Sequence, residues 1–201
     1  MLLVGLTGGL ASGKTLVGKE LANQGCHLIQ ADELGHRVLL PDGEAYAAVV
    51  REFGCDILDG DGRINRRTLG GLVFNDPARL AALSAIVHPA VGRLQKQIVD
   101  GLAETDPDGI VVVEAAILVE TGSYRNFERL IVAVCTVEQQ IARSMHRDGL
   151  SREEVMVRLS RQLPLEQKKR LAHYVIDTSG LKEATIEQTG EVYRSLRGYK
   201  R

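Results

Sequence analysis

Short apolar runs alternate with stretches of helical periodicity along most of this chain. Consecutive apolar residues bounded by glycines or charged residues predict five short buried strands, at residues 2–6, 28–29, 110–113, 130–135 and 174–176. Helical spacing of apolar residues predicts helices over residues 14–23, 138–147 and 181–196. Short buried strands that alternate with helices indicate an α/β fold, in which helices cover both faces of a five-stranded parallel sheet.

The segment between the second and third predicted strands, residues 33–107, has a mostly helical pattern. Asp76 and Pro77 predict the start of its main helix, because aspartate caps a helix N-terminus and proline suits the first helical position. The His88-Pro89 step predicts a kink or a break in that helix, since proline lacks a backbone donor. We interpret the segment as an inserted cap over the edge of the sheet.

Composition bounds the class of protein without identifying a function. The 201 residues carry 25 basic and 26 acidic side chains, a net charge of −1, which fits one domain and argues against a dedicated nucleic-acid-binding protein. No apolar run approaches the roughly 20 residues that span a bilayer, and the apolar N-terminus lacks a basic leader. The three cysteines form no CxxC pair and suit reduced thiols. We therefore expect a cytoplasmic protein that binds neither nucleic acid nor membrane, as a monomer or small homo-oligomer.

The near-neutral total conceals an uneven distribution of charge. Residues 141–170 hold eight Lys or Arg and four Asp or Glu, a net of +4. Arg143 and Arg147 lie four residues apart on one predicted helix, and Ser151 with Glu154 predicts a capping box at the start of the next. Arginines on one helical face suit phosphoryl transfer, because their guanidinium groups stabilise the charge that develops on the transferred group. The segment therefore points to a small anionic ligand.

The motif with the most specific chemistry is GGLASGKT at residues 8–15, which matches the phosphate-binding pattern GxxxxGK[ST] in full. It stands between a predicted strand and a predicted helix, as the motif requires. Successive N–H groups of such a loop face one anion, and the following helix N-terminus also favours phosphate. Lys14 is placed to reach the β- and γ-phosphates, and the Thr15 hydroxyl is placed to ligate Mg²⁺. The sequence therefore predicts binding of a nucleoside triphosphate with Mg²⁺.

Acidic residues follow two of the predicted strands. Asp32 comes just after the second strand, and ligands in open α/β sheets bind at the carboxyl ends of strands. Asp32 suits a base that takes the proton of an acceptor hydroxyl, and it equally suits the N-cap of a helix that begins near Glu33. Glu114 ends the third strand, so it is either a carboxylate near the magnesium or an ordinary strand-end acid.

Taken together, these motifs resemble the dephospho-CoA kinase family over nearly the whole chain. The similar segments are LTGGLASGKT at 6–15, LIQAD at 28–32, the His-Pro corner HPAV at 88–91, EAAILVE at 114–120, the arginine-bearing stretch 140–162 and VIDTSG at 175–180. Ala11 and Thr15 are mild variants of the family's P-loop, and Glu114 begins a segment that usually begins with aspartate. Three further positions differ from the family's usual residues. Gln30 stands in place of an aspartate, Ala116 in place of a proline and Thr178 in place of an asparagine.

The resemblance implies both a fold and a reaction. The implied fold is a single P-loop kinase domain over residues 1–201, a three-layer α/β fold with a parallel five-stranded sheet. Its parts would be a core of about 1–32, 108–140 and 172–201, a helical substrate (CoA) subdomain of about 33–107, and a helical lid of about 141–171. The implied reaction is ATP-dependent phosphorylation of the ribose 3′-hydroxyl of dephospho-CoA to give coenzyme A and ADP, the last step of coenzyme A synthesis.

The resemblance also implies roles for individual residues. Asp32 becomes the catalytic base, Lys14 and Arg143 become stabilisers of the transition state, and Thr15 becomes the magnesium ligand. ATP binding is assigned to Gly8, Gly9, Leu10, Ala11, Ser12, Gly13, Lys14, Thr15, Leu16 and Arg143. Binding of dephospho-CoA is assigned to Asp32, His88, Glu114 and Arg147.

Other classes share part of this pattern. A P-loop kinase for a nucleoside or nucleotide would share the P-loop, the sheet and the lid. The His-Pro corner and the VIDTSG segment favour the dephospho-CoA kinase family instead. A nucleotide-switch GTPase would need a guanine-reading NKxD segment, and CTVE at residues 135–138 stands where it would be expected. A module that only holds ATP is disfavoured by Lys14, Thr15 and Asp32.

Overall fold

The computed structural model describes residues 1–74 and 76–199, so the last two residues of the predicted core segment 172–201 lie outside the described chain. The described chain forms two compact units. The first unit comprises residues 1–29 and the described part of 106–201, and the second comprises Gln30–Thr105.

A five-stranded sheet is built from all the strands that the sequence predicts, which confirms them. The strands are β1 (Leu2–Gly8), β2 (His27–Gln30), β3 (Ile110–Glu114), β4 (Arg129–Val134) and β5 (Tyr174–Asp177), in the spatial order β2-β3-β1-β4-β5. The central strand β1 pairs in parallel with both neighbours, so that Leu6 lies beside Glu114 on one side and Ile131 on the other. The carboxyl end of β1, where the P-loop begins, is therefore flanked by the ends of two further parallel strands.

The α-helices follow the predicted helical pattern with small shifts at their ends. In chain order they are α1 (Lys14–Asn23), α2 (Ala31–Arg37), α3 (Tyr46–Phe53), α4 (Arg66–Val73), α5 (Pro77–Thr105), α6 (Val137–Asp148), α7 (Arg152–Ser160), α8 (Leu165–Lys169) and α9 (Lys182–Arg197). Short 3-10 helices cover Cys55–Ile57 and Ser123–Asn126. Among the described residues, no helix is both long enough and apolar enough to cross a membrane.

The core of the first unit lies between the sheet and the helices that cover it. Leu6 and Ile131 on the sheet are fully buried, as are Val17 and Leu21 on α1. Burial of such a side chain contributes about 1.5–3 kcal/mol to folding. This packing fixes α1 against the sheet and so fixes the direction in which its N-terminus points.

Local capping defines where α6 and α7 begin. Thr136 and Gln139 form a capping box at the start of α6, and Ser151 and Glu154 form the predicted one at the start of α7. The intervening Gly149 ends α6 with φ 65°, a left-handed conformation that glycine adopts without strain. The turn between the two helices is therefore specified by sequence-local hydrogen bonds.

The second unit is a helical cluster around α5. Asp76 accepts hydrogen bonds from the backbone N–H groups of Ala78 and Arg79, which confirms the predicted helix start. Of the predicted kink or break at Pro89, the break is wrong, because α5 continues through this residue to Thr105. The kink stays a prediction. Pro89 and the residue one turn before it, Ala85, are both exposed, so water can satisfy the carbonyl that proline leaves without a donor.

Candidate active site

The P-loop, residues 8–15, connects β1 directly to α1. Gly13 precedes α1 with φ 82°, a conformation that favours glycine, and Ala11 also has a positive φ of 51°. A Cβ atom on Gly8 would lie 2.5 Å from the carbonyl oxygen of Ala133 on β4, so the loop approaches the sheet too closely for any larger residue. The chain therefore folds as a tight concave loop ahead of a helix N-terminus, the arrangement that binds phosphate.

A cavity of about 480 Å³ opens on this loop. One wall is formed by residues 11–15 and the other by Ala142, Arg143, His146 and Arg147, which lie on one face of α6. Lysine and two arginines make the cavity cationic, which suits a polyanionic ligand such as a triphosphate. The predicted ATP-binding residues Ala11 to Thr15 and Arg143 thus share one cavity.

Lys14 and Thr15, the first residues of α1, contact different partners. The ammonium group of Lys14 donates to the carbonyl oxygen of Gly9 at 2.7 Å, within the P-loop itself. The Thr15 hydroxyl donates to Glu114 Oε1 at 3.0 Å. Glu114 is the buried last residue of β3, so the sheet places its carboxylate beside the P-loop threonine.

The side-chain oxygens of Thr15 and Glu114 show whether this site suits a magnesium ion. Mg²⁺ prefers oxygen ligands and is held by one or two protein groups together with phosphate oxygens and water. A hydroxyl and a carboxylate oxygen that already lie within hydrogen-bond distance of each other match that preference. The described residues contain no group of three or more His, Cys, Asp or Glu side chains that would hold a metal without such help.

Arg143 is held at the cavity wall by Thr178, just beyond β5. Its guanidinium group donates to the Thr178 carbonyl oxygen at 2.6 Å and to the Thr178 hydroxyl at 3.2 Å. That hydroxyl donates in turn to the carbonyl oxygen of Ser12 in the P-loop at 2.9 Å. Thr178, where the resembling family usually has asparagine, thereby joins the arginine helix to the phosphate-binding loop.

Arg147 differs from Arg143 in its surroundings. It is exposed and makes two hydrogen bonds, at 2.8 and 2.9 Å, to the carboxylate of Asp148. The same contact holds the pKa of Asp148 below its ordinary value, chiefly through the hydrogen bonds from Arg147. Arg147 therefore lines the cavity as part of an ion pair with Asp148, while Arg143 is anchored by its hydrogen bonds to Thr178.

Leu10 is held by two glutamines, Gln162 and Gln140, whose role no local sequence pattern indicates. Its N–H donates to Gln162 Oε1 at 2.8 Å, and its carbonyl accepts from Gln140 Nε2 at 2.7 Å. Gln140 is 3% exposed. Both glutamines look like ordinary helix and turn residues in the sequence, and only their distant contacts with the P-loop distinguish them.

Asp32 and His88 belong to the second unit. Asp32 is an exposed residue in the first turn of α2, which begins at Ala31 with Gln30 as its N-cap and without a side-chain cap hydrogen bond. The alternative in which Asp32 caps a helix beginning near Glu33 is therefore wrong. His88 is exposed on α5. Their catalytic and substrate-binding roles stay predictions.

The fold and the site together define a P-loop kinase: a parallel sheet, a lysine- and threonine-bearing P-loop that opens a helix, and an anchored arginine across the cavity. A family model described as dephospho-CoA kinase matches residues 2–183. The chain belongs to the dephospho-CoA kinase family, and it is a kinase. The resemblance, the fold class and the enzyme class predicted from the sequence are thereby confirmed.

Individual relatives agree with this assignment. The chain is 37% identical over 196 residues to a dephospho-CoA kinase of Thermobifida fusca, which covers 98% of this chain and 96% of the relative. A solved structure of a Thermus thermophilus protein superposes with a TM-score of 0.84 at 31% identity, covering 97% of both chains. The dephospho-CoA kinase of Campylobacter jejuni shares the fold, with a TM-score of 0.71 at 24% identity and coverage of 98% and 97%.

Proposed function

We propose that this chain transfers the γ-phosphoryl group of ATP to the ribose 3′-hydroxyl of dephospho-CoA, giving coenzyme A and ADP. The cationic cavity between the P-loop and α6 supports the ATP side of this reaction. The identity of the acceptor is supported by membership of the family over residues 2–183. The reaction is the last step of coenzyme A biosynthesis.

Lys14 and Arg143 stabilise the charge on the transferred phosphoryl group. An ammonium has three donors, so Lys14 can keep its bond to Gly9 and still donate to a phosphate oxygen. Arg143 presents a planar guanidinium whose position is fixed at two points by Thr178. Pre-positioned donors of this kind stabilise developing charge more than mobile ones do, because little reorganisation accompanies the reaction.

Thr15 and Glu114 would hold Mg²⁺ in the loaded enzyme, and the ion would neutralise negative charge on the β- and γ-phosphate oxygens. The family resemblance also implies a role for Glu114 in substrate binding. Glu114 accepts a hydrogen bond from Thr15 in the P-loop. This contact supports a role for Glu114 at the phosphates of ATP rather than at the acceptor. The other predicted ATP-binding residues, Gly8 to Gly13 in the P-loop and Leu16 in α1, contribute the backbone that surrounds the phosphates.

Asp32 acts as the general base on the acceptor. Its carboxylate is exposed, and it orients the 3′-hydroxyl and takes its proton as the phosphoryl group is transferred. His88 and Arg147 bind dephospho-CoA. In this proposal the helical segment 33–107 serves as the substrate subdomain, and residues 141–171 serve as the lid.

The proposed location is the cytoplasm. The three cysteines Cys26, Cys55 and Cys135 are free, as is usual in a reducing compartment. The protein works on small molecules in this proposal, as a monomer or small homo-oligomer without a nucleic-acid partner.

Release of ADP with a set of acceptors tests this function. Purified protein with ATP and Mg²⁺ is expected to release ADP when dephospho-CoA is added, in proportion to the acceptor consumed. Adenosine, AMP and shikimate serve as controls that share parts of the chemistry. Consumption of a nucleoside or nucleotide with dephospho-CoA left unchanged would overturn the proposal.

A further inference from the structure

Lys168 on α8 is a buried cation that the reaction scheme above does not use. Its side chain is 0% exposed. Removing an ammonium from water is costly unless it is paired and hydrogen-bonded, so a lysine in this position has to be compensated by its neighbours.

Three protein oxygens compensate Lys168. Its Nζ atom donates to the carbonyl oxygen of Gly8 at 3.1 Å and to that of Ala116 at 2.9 Å. It also forms an ion pair with Glu120 Oε1 at 2.7 Å. An ammonium has three donors, so these three oxygens use its full capacity and leave none for nucleotide or acceptor.

The three oxygens belong to two segments that meet at the site. Gly8 is both the last residue of β1 and the first residue of the P-loop. Ala116 and Glu120 lie in the segment that follows β3, immediately after the carboxylate of Glu114. Lys168 therefore connects the first turn of the P-loop to the segment that directly follows Glu114, the partner of Thr15.

The chain around Lys168 contacts the same two segments a second time. Gln162 accepts a hydrogen bond from Leu10 N in the P-loop at 2.8 Å. The N–H of Leu163 donates to Glu120 Oε1 at 3.1 Å. Residues 162–168 thus hold both segments at two points each.

We propose that Lys168 is a positioning residue for phosphoryl transfer, which holds the first turn of the P-loop against the segment that follows Glu114 without itself contacting nucleotide or acceptor. Without the ammonium, two carbonyl oxygens and a carboxylate would face one another and repel. The P-loop amides and the Thr15–Glu114 pair would then lose their relative placement. A displacement of about 1 Å in such a site can reduce turnover as much as a hundredfold. The kinetic part of this inference rests on the proposed function.

Lys168→Met tests the proposal, with Lys169→Met as the matched control. Methionine keeps most of the volume and removes the charge. Lys169 is the adjacent exposed lysine on the same helix, and its 3.8 Å contact with Glu166 lies on the surface. For Lys168→Met we expect kcat to fall about tenfold to a hundredfold. We also expect its affinity for ADP, measured by calorimetry, to be lower than that of the unchanged protein. Lys169→Met is expected to match the unchanged protein in both.

A double variant separates positioning from simple charge compensation. Lys168→Met leaves the Glu120 carboxylate buried without its cation, which by itself lowers stability. Adding Glu120→Gln removes that charge, with Glu120→Gln alone completing a double-mutant cycle. We expect the melting temperature to recover in the double variant while kcat and ADP affinity stay low, because the Gly8 and Ala116 carbonyls still lack their donor.

Two results would overturn the proposal. One is a Lys168→Met protein with normal kcat and normal ADP affinity. The other is a double variant in which stability, kcat and ADP affinity all recover, since Lys168 would then act only as the counter-ion of Glu120.

ADP binding needs no acceptor, so it tests the positioning role of Lys168 separately from the proposed function. A wild-type protein that ignores dephospho-CoA would therefore contradict the proposed function, and weaker ADP binding in Lys168→Met would still support positioning.

Discussion

The Arg143 guanidinium donates to both oxygens of a single residue, the carbonyl oxygen of Thr178 at 2.6 Å and its hydroxyl at 3.2 Å. Thr178 is 4% exposed, and its hydroxyl donates to the P-loop carbonyl of Ser12. One residue, through its backbone carbonyl and its side-chain hydroxyl, thus anchors Arg143 and links it to the P-loop. The position of Arg143 is set by the end of β5 and not by α6 alone.

Thr178→Val tests this anchoring. Valine keeps the shape and the backbone carbonyl but removes the hydroxyl, so Arg143 loses one of its two acceptors. Because a hydrogen bond to a charged group contributes about 1.5–3 kcal/mol, we expect kcat to fall about tenfold or more, measured by ADP release. Thr178→Ser keeps the hydroxyl and should stay close to the unchanged protein. Equal kcat in the valine and serine variants would show that the hydroxyl does not matter.

Asp32→Asn tests the proposed base. Asparagine cannot take a proton from the acceptor, and loss of a general base costs about 100-fold or more in turnover. ADP affinity, measured by calorimetry, is expected to stay nearly unchanged. Glu33→Gln is the matched control, because Glu33 is the neighbouring exposed acid in the first turn of α2. Turnover near the wild-type level in Asp32→Asn would remove Asp32 from the catalytic scheme.

Cys26 gives the protein a sensitivity to alkaline pH. Burial raises the pKa of its thiol from 9.0 to about 11. A raised pKa means that the folded state favours the protonated thiol. The resulting stability is present below the unfolded pKa near 9 and is lost as the pH rises through about 11. Between pH 8 and about pH 10.5, the free energy of unfolding should fall further in the unchanged protein than in Cys26→Ala, as measured by urea denaturation. An equal fall in the free energy of unfolding in the two proteins would contradict this account of Cys26.

Thr136→Ala tests the capping box that starts α6, the helix of Arg143. Thr136 accepts from the Gln139 backbone N–H at 3.2 Å and is exposed, so alanine removes the cap without opening a cavity. We expect the free energy of unfolding to fall by about 1 kcal/mol, the usual value of an N-cap. Thr136→Ser keeps an acceptor hydroxyl and should lose much less. A loss of equal size in both variants would assign the effect to the methyl group.

The sequence predicted those features whose causes are local. The P-loop was recognisable because eight consecutive residues carry its chemistry, and the strands were recognisable because buried parallel strands are continuous apolar runs. The caps at Asp76 and Ser151 were predictable for the same reason. The predicted break at Pro89 failed because an exposed proline in a long helix leaves a carbonyl that water can reach.

The missed residues depend on contacts between distant parts of the chain. Gln162 and Leu10 are 152 positions apart, and Lys168 and Gly8 are 160 apart. A glutamine and a lysine in a basic helical segment resemble solvent-exposed residues, and nothing in the local pattern marks them as contacts of the P-loop. Only the closure of the fold brings them to the P-loop, so their roles could not be predicted from spacing.

The position of the new phosphate in the product tests the central claim most directly. After incubation with ATP, Mg²⁺ and dephospho-CoA, phosphorus NMR of the isolated product should show a phosphomonoester coupled to the ribose H3′ proton, and the analogue that lacks the 3′-hydroxyl should remain unphosphorylated. A product phosphorylated elsewhere, or ADP release from the 3′-deoxy analogue with a phosphorylated product, would contradict the account.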